Sequence, residues 1–271
     1  PKPFYPVPCV GCPPNKTLEF DHCKNAPERI QQKLLHNYTR EAAAKGLIDD
    51  PKNLSTHRIY IYRGTKDHCY LPGSEGEVVE FYRAFNNGLA GQFALEATIP
   101  SLHAQPTIHK GSPCGGPYDG PYSYLANCGY DGAGAALQHI YRNALKPPVP
   151  TADLSLLKRI PQAQYMQGRD VGLAKEAYVF IPPRCAAGHL CKLHLWFHGC
   201  DGPDRFYNAS VHYAGFNEWA EANDMVILYP AMRDWGKTSE TQGGCWDGYG
   251  QTGADYALQS GGQMAAVRRM I

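Results

Sequence analysis

The turn Phe197–Cys200 has the residue types of an oxyanion hole, a set of N–H donors that stabilises the negative charge formed during acyl transfer. It follows directly after an apolar run, Leu193–Phe197, that predicts a buried strand. Glycine at position 199 lets the backbone approach a ligand closely, and N–H groups held in such a turn stabilise a tetrahedral intermediate. By itself, His198-Gly199-Cys200 after a strand is a weak signal, because these three residues also occur together in ordinary loops. We interpret His198 as structural.

Chemistry of this kind needs a nucleophile, and no serine of the chain lies in a G-x-S-x-G pattern. That pattern marks the strand-to-helix elbow that exposes the nucleophile in α/β-hydrolases. The nearest match is Gln259–Gly262, where Ser260 lies inside a helix-like pattern, and we do not assign it as the nucleophile. The chain therefore has a predicted oxyanion turn without a predicted nucleophile.

Ten cysteines and four N-x-S/T sequons together favour the secretory pathway, where disulfides persist and glycans are attached. The expected glycosylation sites are Asn15, Asn37, Asn53 and Asn208. No apolar run approaches the ~20 residues of a membrane span, and a net charge of +1 without a basic stripe gives nucleic-acid binding no electrostatic support. With no signal peptide visible, we expect the mature or processed chain of a secreted protein.

The even number of cysteines predicts that most or all of them form disulfides. The pairs Cys114–Cys128 and Cys185–Cys191 are expected because each closes a short loop, and Cys200–Cys245 because both residues lie in loops that flank the predicted site. The other four cysteines are expected to pair among themselves, with partners that stay open: Cys9, Cys12, Cys23 and Cys69. Three of these, with His22, also have the spacing of a zinc site. Disulfides are the favoured interpretation, so we expect no metal.

Two alternating series of strands and helices indicate an α/β fold with a mostly parallel sheet and helices on both faces. Strands are predicted at 57–62, 93–97, 178–181, 193–197 and 225–229, and helices at 26–44, 75–85, 131–145, 216–222 and 254–271. A Gly/Pro-rich loop is predicted at 100–130, and a linker-like stretch that opens with two prolines at about 146–175. We expect one domain over 1–271.

A series of longer motifs runs through the chain in a fixed order. In the first half they are Ile61–Asp67, Leu102–Thr107 and Asn127–Leu137. In the second half they are Leu193–Cys200, Met225–Pro230, Gly244–Asp247, Thr252–Tyr256 and Gln263–Val267. In this order and at this spacing they closely resemble the poly(3-hydroxybutyrate) depolymerase family, over roughly residues 57–271.

The resemblance implies an α/β-hydrolase fold and a serine-type ester hydrolysis that uses no cofactor. Asp67, at the C-terminal end of a strand, matches the family's triad aspartate, and His103 matches its general base. Cys200 matches a residue that contributes its backbone N–H to the oxyanion hole, and Trp246 lies where the family has a tryptophan near the substrate. Asp67 as a loop cap, His103 as a loop histidine and Trp246 as a core residue remain alternatives. The sequence around His103 also departs from the family pattern, with Ala104 and Gln105.

The order of the matched parts resembles the circularly permuted, fungal-type branch of the family, in which the serine elbow lies near the N-terminus. We therefore expect the elbow segment to be missing from these 271 residues and to be carried by a companion peptide of the same folded protein. A sheet without that strand would leave backbone groups unpaired. The 271 residues are thus expected to form an incomplete single domain.

Three functions stay open at this point. The first is a secreted esterase that hydrolyses polyhydroxyalkanoate-like polyesters, with an ester or polyester as its partner. The second is a catalytically inactive secreted binding or structural protein that kept the fold. The third is another secreted hydrolase with the same triad, such as a feruloyl or acetyl-xylan esterase. A G-x-S-x-G sequence upstream of Pro1 separates the enzymes from the inactive protein.

Overall fold

The computed structural model describes residues 26–88, 90–117, 122, 124–200, 207–233, 244–248 and 250–271. These residues divide between two compact units. The first contains the described residues up to 99 together with 247–269 and 271, and the second contains those of 100–246 together with 270. The expectation of one domain over 1–271 stays a prediction.

The described residues contain nine strands and eight α-helices. The strands are β1 (Ile59–Tyr62), β2 (Phe93–Glu96), β3 (Gln105–Thr107), β4 (Ser112–Pro113), β5 (Leu125–Asn127), β6 (Leu157–Pro161), β7 (Glu176–Phe180), β8 (Lys192–Leu195) and β9 (Met225–Tyr229). The helices are α1 (Gln32–Ala44), α2 (Ser74–Arg83), α3 (Gly132–Ile140), α4 (Ala163–Met166), α5 (Pro183–Ala186), α6 (Asn208–Tyr213), α7 (Phe216–Ala222) and α8 (Gly262–Met270). Short 3₁₀ helices lie at Pro27–Arg29, Pro51–Thr56 and Leu154–Leu156.

In the first unit, β1 and β2 pair in parallel, and α1 packs against α2. The His36 ring of α1 lies 5.7 Å from the Phe81 ring and 5.6 Å from the Phe85 ring. The Gln32 amide donates a hydrogen bond of 2.7 Å to the Glu77 carboxylate. Phe81 of α2 and Phe85 just after it therefore pack against α1.

The second unit contains two sheets. The smaller has the order β3-β5-β4 and is parallel throughout. The larger has the order β6-β7-β9-β8, with antiparallel β6–β7 and β7–β9 pairs and a parallel β8–β9 pair. Four of the six strand pairings in the described residues are parallel, so the prediction of an α/β fold with mostly parallel strands is confirmed.

The core of the second unit is built on the apolar strand β9 and helix α7. Burying such side chains stabilises the fold by roughly 1.5–3 kcal/mol each. Trp219 of α7 donates its indole N–H to the Asp131 carboxylate at 2.8 Å, and the other Asp131 oxygen caps α3 by accepting from the Gly134 N–H at 2.7 Å. A Cβ at Gly134 would lie 2.6 Å from Trp219, so glycine is required for this close approach.

The sequence places α7 and β9 at their observed bounds, but the two stretches predicted as a linker and a loop differ from expectation. The stretch 146–175 is not a linker throughout, because it contains β6 and α4. β6 is an edge strand with charged residues and a proline, features that edge strands tolerate and that hide a strand in the sequence. The loop 100–130 contains β3, β4 and β5, and β3 and β4 are edge strands with a proline each.

Two predicted helices are shorter than expected. The helix predicted at 131–145 ends at Ile140, because Arg142 and Asn143 both adopt a left-handed backbone with φ of 57°. The helix predicted at 254–271 begins only at Gly262, after a series of turns. Two consecutive glycines at 261 and 262 disfavour an earlier start, since glycine weakens a helix interior.

Three disulfides link the second unit internally: Cys114–Cys128, Cys185–Cys191 and Cys200–Cys245. All three were expected from the sequence and are confirmed. Cys9, Cys12 and Cys23, and with them the alternative zinc site with His22, lie outside the described residues. Among the helices of the described part, none has the length and apolarity needed to cross a membrane.

Candidate active site

The turn after β8 is fixed by the side chain of His198. The His198 ring is buried, with 6% of its surface exposed. Its Nε2 accepts the N–H of Met232 at 2.9 Å, and its Nδ1 lies 2.6 Å from the carbonyl oxygen of Gly199. Because Nε2 is an acceptor, the proton of the neutral ring lies on Nδ1, which donates to Gly199.

The surroundings of His198 keep this ring neutral. Burial lowers the pKa of the imidazole below its ordinary value, and this effect exceeds the opposing influence of the Gly199 carbonyl. The Tyr207 and Trp246 rings lie 5.5 and 5.7 Å from the His198 ring. The interpretation of His198 as structural therefore agrees with its contacts. One of these contacts is to the backbone of the turn itself, at Gly199.

Cys200, the predicted oxyanion residue, lies at the exposed end of this turn. Its side chain is bonded to Cys245, which joins the turn to the segment that precedes Trp246. Within the described part of the chain, no carbonyl accepts the Cys200 N–H. No described atom lies within 4 Å of the position that a Cβ at Gly199 would occupy. Among the described residues, the turn thus presents a backbone donor without an acceptor.

Trp246 packs against the same turn. Its ring lies 5.1 Å from the Phe197 ring, edge to face, and it also contacts His198. The indole Nε1 is shielded from water and has no hydrogen-bond partner among the described residues. Buried indole N–H groups usually have an acceptor, and none of the described residues supplies one to Trp246. Its assignment to substrate binding stays a prediction.

His103, the predicted general base, precedes β3 in the second unit and is half-buried. Its ring lies edge-on to the Tyr124 ring at 6.2 Å. Gln105 donates its N–H to the Tyr124 carbonyl at 2.8 Å, which ties the His103 segment to the start of β5. Tyr124 has a φ of 68°, a left-handed conformation that is unusual for an aromatic residue. Such backbone is held by its surroundings and is frequent at functional sites.

Asp67, the predicted triad aspartate, lies in the first unit, in the turn after β1. One carboxylate oxygen accepts the N–H groups of Cys69 at 2.7 Å and Tyr70 at 3.1 Å. The Asp67 N–H donates to the Gly64 carbonyl at 3.0 Å, and the Arg63 guanidinium donates to the same oxygen at 3.0 Å. Asp67 therefore caps this loop, the role that the alternative interpretation expected for it. Since Asp67 and His103 belong to different units, their pairing stays a prediction.

Asp247 is a residue whose role the sequence did not assign, although it belongs to the quoted motif Gly244–Asp247. Its carboxylate accepts four hydrogen bonds: the N–H groups of Gly250 at 2.7 Å and Gln251 at 3.0 Å, and the N–H and hydroxyl of Thr252 at 2.7 and 2.6 Å. Its own N–H donates to Gln263 at 2.8 Å. Asp247 therefore fixes the loop that follows Trp246 in the chain. The signal in the sequence was its place beside that tryptophan.

Three of the four sequon asparagines have exposed side chains: Asn37 on α1, Asn53 in a 3₁₀ helix and Asn208 at the start of α6. Asn15 lies outside the described residues. Exposure is necessary for a folded protein to carry a glycan at these positions. Glycosylation itself stays a prediction.

Comparison with known proteins gives relatives of one kind, although no family model matches the chain. Over 255 residues the chain is 30% identical to a poly(3-hydroxybutyrate) depolymerase of Delftia acidovorans, covering 92% of this chain and 49% of that protein. Over 225 residues it is 30% identical to a polyhydroxybutyrate depolymerase of Talaromyces funiculosus, covering 79% of this chain and 65% of that protein. The chain thus spans less than two thirds of the length of these relatives.

Two solved structures are similar to the chain throughout most of its length. One is the PHB depolymerase from Penicillium funiculosum, and the other is a serine-to-alanine variant of a PHB depolymerase complexed with an R3HB trimer. Each matches with a TM-score of 0.74 at 27% sequence identity, covering 87% of this chain and 75% of that chain. The α/β-hydrolase-like fold expected from the sequence is confirmed by this match.

Proposed function

Because this chain belongs to the poly(3-hydroxybutyrate) depolymerase family, we propose that it carries most of the site of a secreted serine-type esterase. The substrate class is a polyhydroxyalkanoate-like polyester. The names of the relatives and the bound R3HB trimer of one similar structure support this choice of substrate. Three disulfides and three exposed sequons support secretion.

In this reaction a serine attacks the ester carbonyl and forms a tetrahedral intermediate. His103 takes the proton of the serine and returns it to the leaving alcohol, and Asp67 orients His103 and stabilises its charged form. The Cys200 N–H donates to the oxyanion. Water then attacks the acyl-enzyme with His103 again as the base, which releases the acid and restores the serine. The residues assigned here need no metal or organic cofactor for these steps.

One observation carries the proposal: the turn after β8 holds, at an exposed position, a Cys200 N–H that no described residue accepts, with Trp246 against the turn. The donor is fixed by a disulfide and by the His198 bonds. A donor fixed before substrate binds needs no reorganisation when charge develops, and this is the main source of its catalytic value.

The nucleophile is proposed to come from a segment that these 271 residues do not include, since they contain no G-x-S-x-G pattern. A companion peptide held in the same folded protein would supply it. The order of the matched motifs supports a circularly permuted arrangement, with the elbow upstream of Asp67 in the chain.

The intact protein tests the proposal through a fluorophosphonate probe and two substrate classes. We expect the probe to label a peptide outside the 271 residues, and 3-hydroxybutyrate oligomers to be hydrolysed faster than aryl or feruloyl esters. Intact mass under reducing and non-reducing conditions shows whether that peptide is joined by a disulfide. His103→Ala is the control and abolishes labelling. Preference for feruloyl or acetyl-xylan substrates would correct the substrate class only.

The lack of an elbow in the 271 residues also favours a second candidate, an inactive secreted relative that binds without hydrolysis. This candidate predicts that folded intact protein is unlabelled by the probe and hydrolyses neither substrate class. In that case the esterase proposal is wrong.

A further inference from the structure

We propose that His198 is a positioning residue for the oxyanion hole, acting on the peptide unit between Gly199 and Cys200. This inference rests on the proposed esterase function and deepens it. The family resemblance assigned a role to the Cys200 N–H, whereas His198 was interpreted from the sequence as structural only. The hydrogen bonds of His198 connect the two residues.

The hydrogen bond donated by His198 is to the carbonyl end of the peptide group whose other end is the Cys200 N–H. The Gly199 carbonyl, which accepts from Nδ1 at 2.6 Å, and the Cys200 N–H belong to one planar peptide unit. In a trans peptide the C=O and N–H point in opposite directions. Holding the carbonyl toward the buried ring therefore turns the Cys200 N–H away from it, toward the exposed side of the turn.

The ring itself is held from the opposite side. Nε2 accepts the Met232 N–H at 2.9 Å, and Met232 is fully buried just after β9. Together with the flanking rings of Tyr207 and Trp246, this bond leaves the imidazole one orientation. The Gly199–Cys200 peptide is thus connected through the ring to the backbone that follows β9.

The same bond strengthens the donor as well as aiming it. A hydrogen bond accepted by an amide carbonyl polarises that amide, and hydrogen bonds in such a chain reinforce one another. The series runs from the Met232 N–H through the imidazole to the Gly199 carbonyl and ends at the Cys200 N–H. This series of hydrogen bonds therefore makes the Cys200 N–H a stronger donor to an oxyanion.

Two substitutions separate the two bonds of the ring. In His198→Gln, the side-chain amide extends to the place of Nε2, so it can accept from Met232 but no longer donates to Gly199. In His198→Asn, the amide nitrogen lies near the place of Nδ1, so it can donate to Gly199 but does not reach Met232. Both replacements are uncharged, as the buried ring is.

The test measures kcat and KM for a soluble 3-hydroxybutyrate oligomer, together with thermal stability, in the intact protein. We expect His198→Gln to lower kcat about 10–100-fold, below the cost of removing an oxyanion donor outright, with KM unchanged. His198→Asn should recover most of kcat while losing more thermal stability than the Gln variant. A purely structural His198 would instead make kcat follow stability in both variants.

His212→Gln is the matched control, because its Nδ1 also lies 2.6 Å from a backbone carbonyl, that of Asn208, outside the proposed site. It should leave kcat and KM unchanged.

If His198→Gln does not fold, His198→Asn and His198→Ala are compared, and equal kcat in these two overturns the inference. Equal kcat in wild type and a folded His198→Gln variant also overturns it while the esterase function stands. An inactive wild type instead means that the proposed function is wrong, and the inference with it.

Discussion

The turns after β8 and β1 both carry residues of the proposed site, but they are held in different ways. After β8, His198 bonds to Met232, 34 residues further along, and Cys200 bonds to Cys245, 45 residues further along. After β1, the Asp67 carboxylate bonds to N–H groups two and three residues away. The Cys200 end of the first turn is thus held by side-chain links across the unit. The Asp67 carboxylate is held within its own turn, which the Thr65 N–H joins to the Ile99 carbonyl at 2.8 Å.

This difference separates two ways of placing a functional group. A turn held by neighbouring residues forms as soon as the chain folds locally, so its substitution tests chemistry with little effect on the fold. A turn held by distant residues transmits any loosening of the fold to the group that it carries.

Asp67→Asn should lower kcat about 10⁴-fold, as loss of the orienting carboxylate does in serine triads. Asparagine keeps an acceptor oxygen for the Cys69 and Tyr70 N–H groups, so the turn and the thermal stability should change little. Ester hydrolysis kinetics and thermal unfolding of the intact protein measure both quantities. A loss of less than tenfold would mean that Asp67 is a loop cap and not a triad member.

Replacing both Cys200 and Cys245 by alanine should destabilise the fold by about 4 kcal/mol in the chain-entropy description, and should also lower kcat because the turn loses its link. The matched control replaces Cys185 and Cys191, whose separation is 6 residues instead of 45. That variant should lose about 2 kcal/mol and keep its kcat. Denaturant unfolding and oligomer hydrolysis measure these effects, and an equal loss of kcat in both variants contradicts a special role for the Cys200 link.

Acid should weaken the region around β8 through two histidines, the half-buried His194 and the buried His198. Burial lowers the pKa of His194 from 6.5 to about 4, and it also lowers the pKa of His198. A lowered pKa in the folded state means that the unfolded chain binds more protons below pH 6.5, so stability is present above 6.5 and is lost as pH falls toward 4. His194 alone accounts for about 3 kcal/mol over this range.

His194→Phe provides the comparison, because its ring can keep the stacking on Phe216, seen at 5.3 Å, without binding a proton. Unfolding free energies measured by denaturant titration across this pH range should fall less steeply for the variant than for wild type. Identical slopes would show that His194 does not titrate differently in the folded and unfolded states.

Glu75→Gln should destabilise the protein by about 1–3 kcal/mol, between the values for exposed and buried ion pairs. Glu75 lies 3.2 Å from Arg63, with side-chain exposures of 14% and 10%, and Arg63 donates to the Gly64 carbonyl in the turn after β1. Glu176→Gln, which breaks the exposed pair with Arg159, is the control and should cost less than about 1 kcal/mol. Chemical denaturation measures both, and equal costs would mean that the Arg63 pair contributes no more than a surface contact.

Elements that depend on neighbouring residues could be predicted from the sequence, whereas elements that depend on distant partners could not. Helix α7 and strand β9 were predicted to the residue, because their apolar residues repeat with the period of the element or form a continuous run. Strands β3, β4, β5 and β6 were missed. β3, β4 and β6 are short or charged edge strands, and β5, although central in its sheet, has only three residues. Edge strands need little apolar patterning, so the sequence leaves them looking like loops.

The sequence by itself determined the family, the α/β class and three disulfide pairs, and it predicted Asp67, His103, Cys200 and Trp246 as site residues. Residue types at fixed spacing are enough for these, since they record which local turns and cysteine loops the chain can form. Only the tertiary structure decided that Met232 fixes His198, and that His198 then holds the Gly199–Cys200 peptide. Such bonds join backbone groups far apart in the chain, and a backbone N–H is the same in every residue but proline, so its partner is set by the fold.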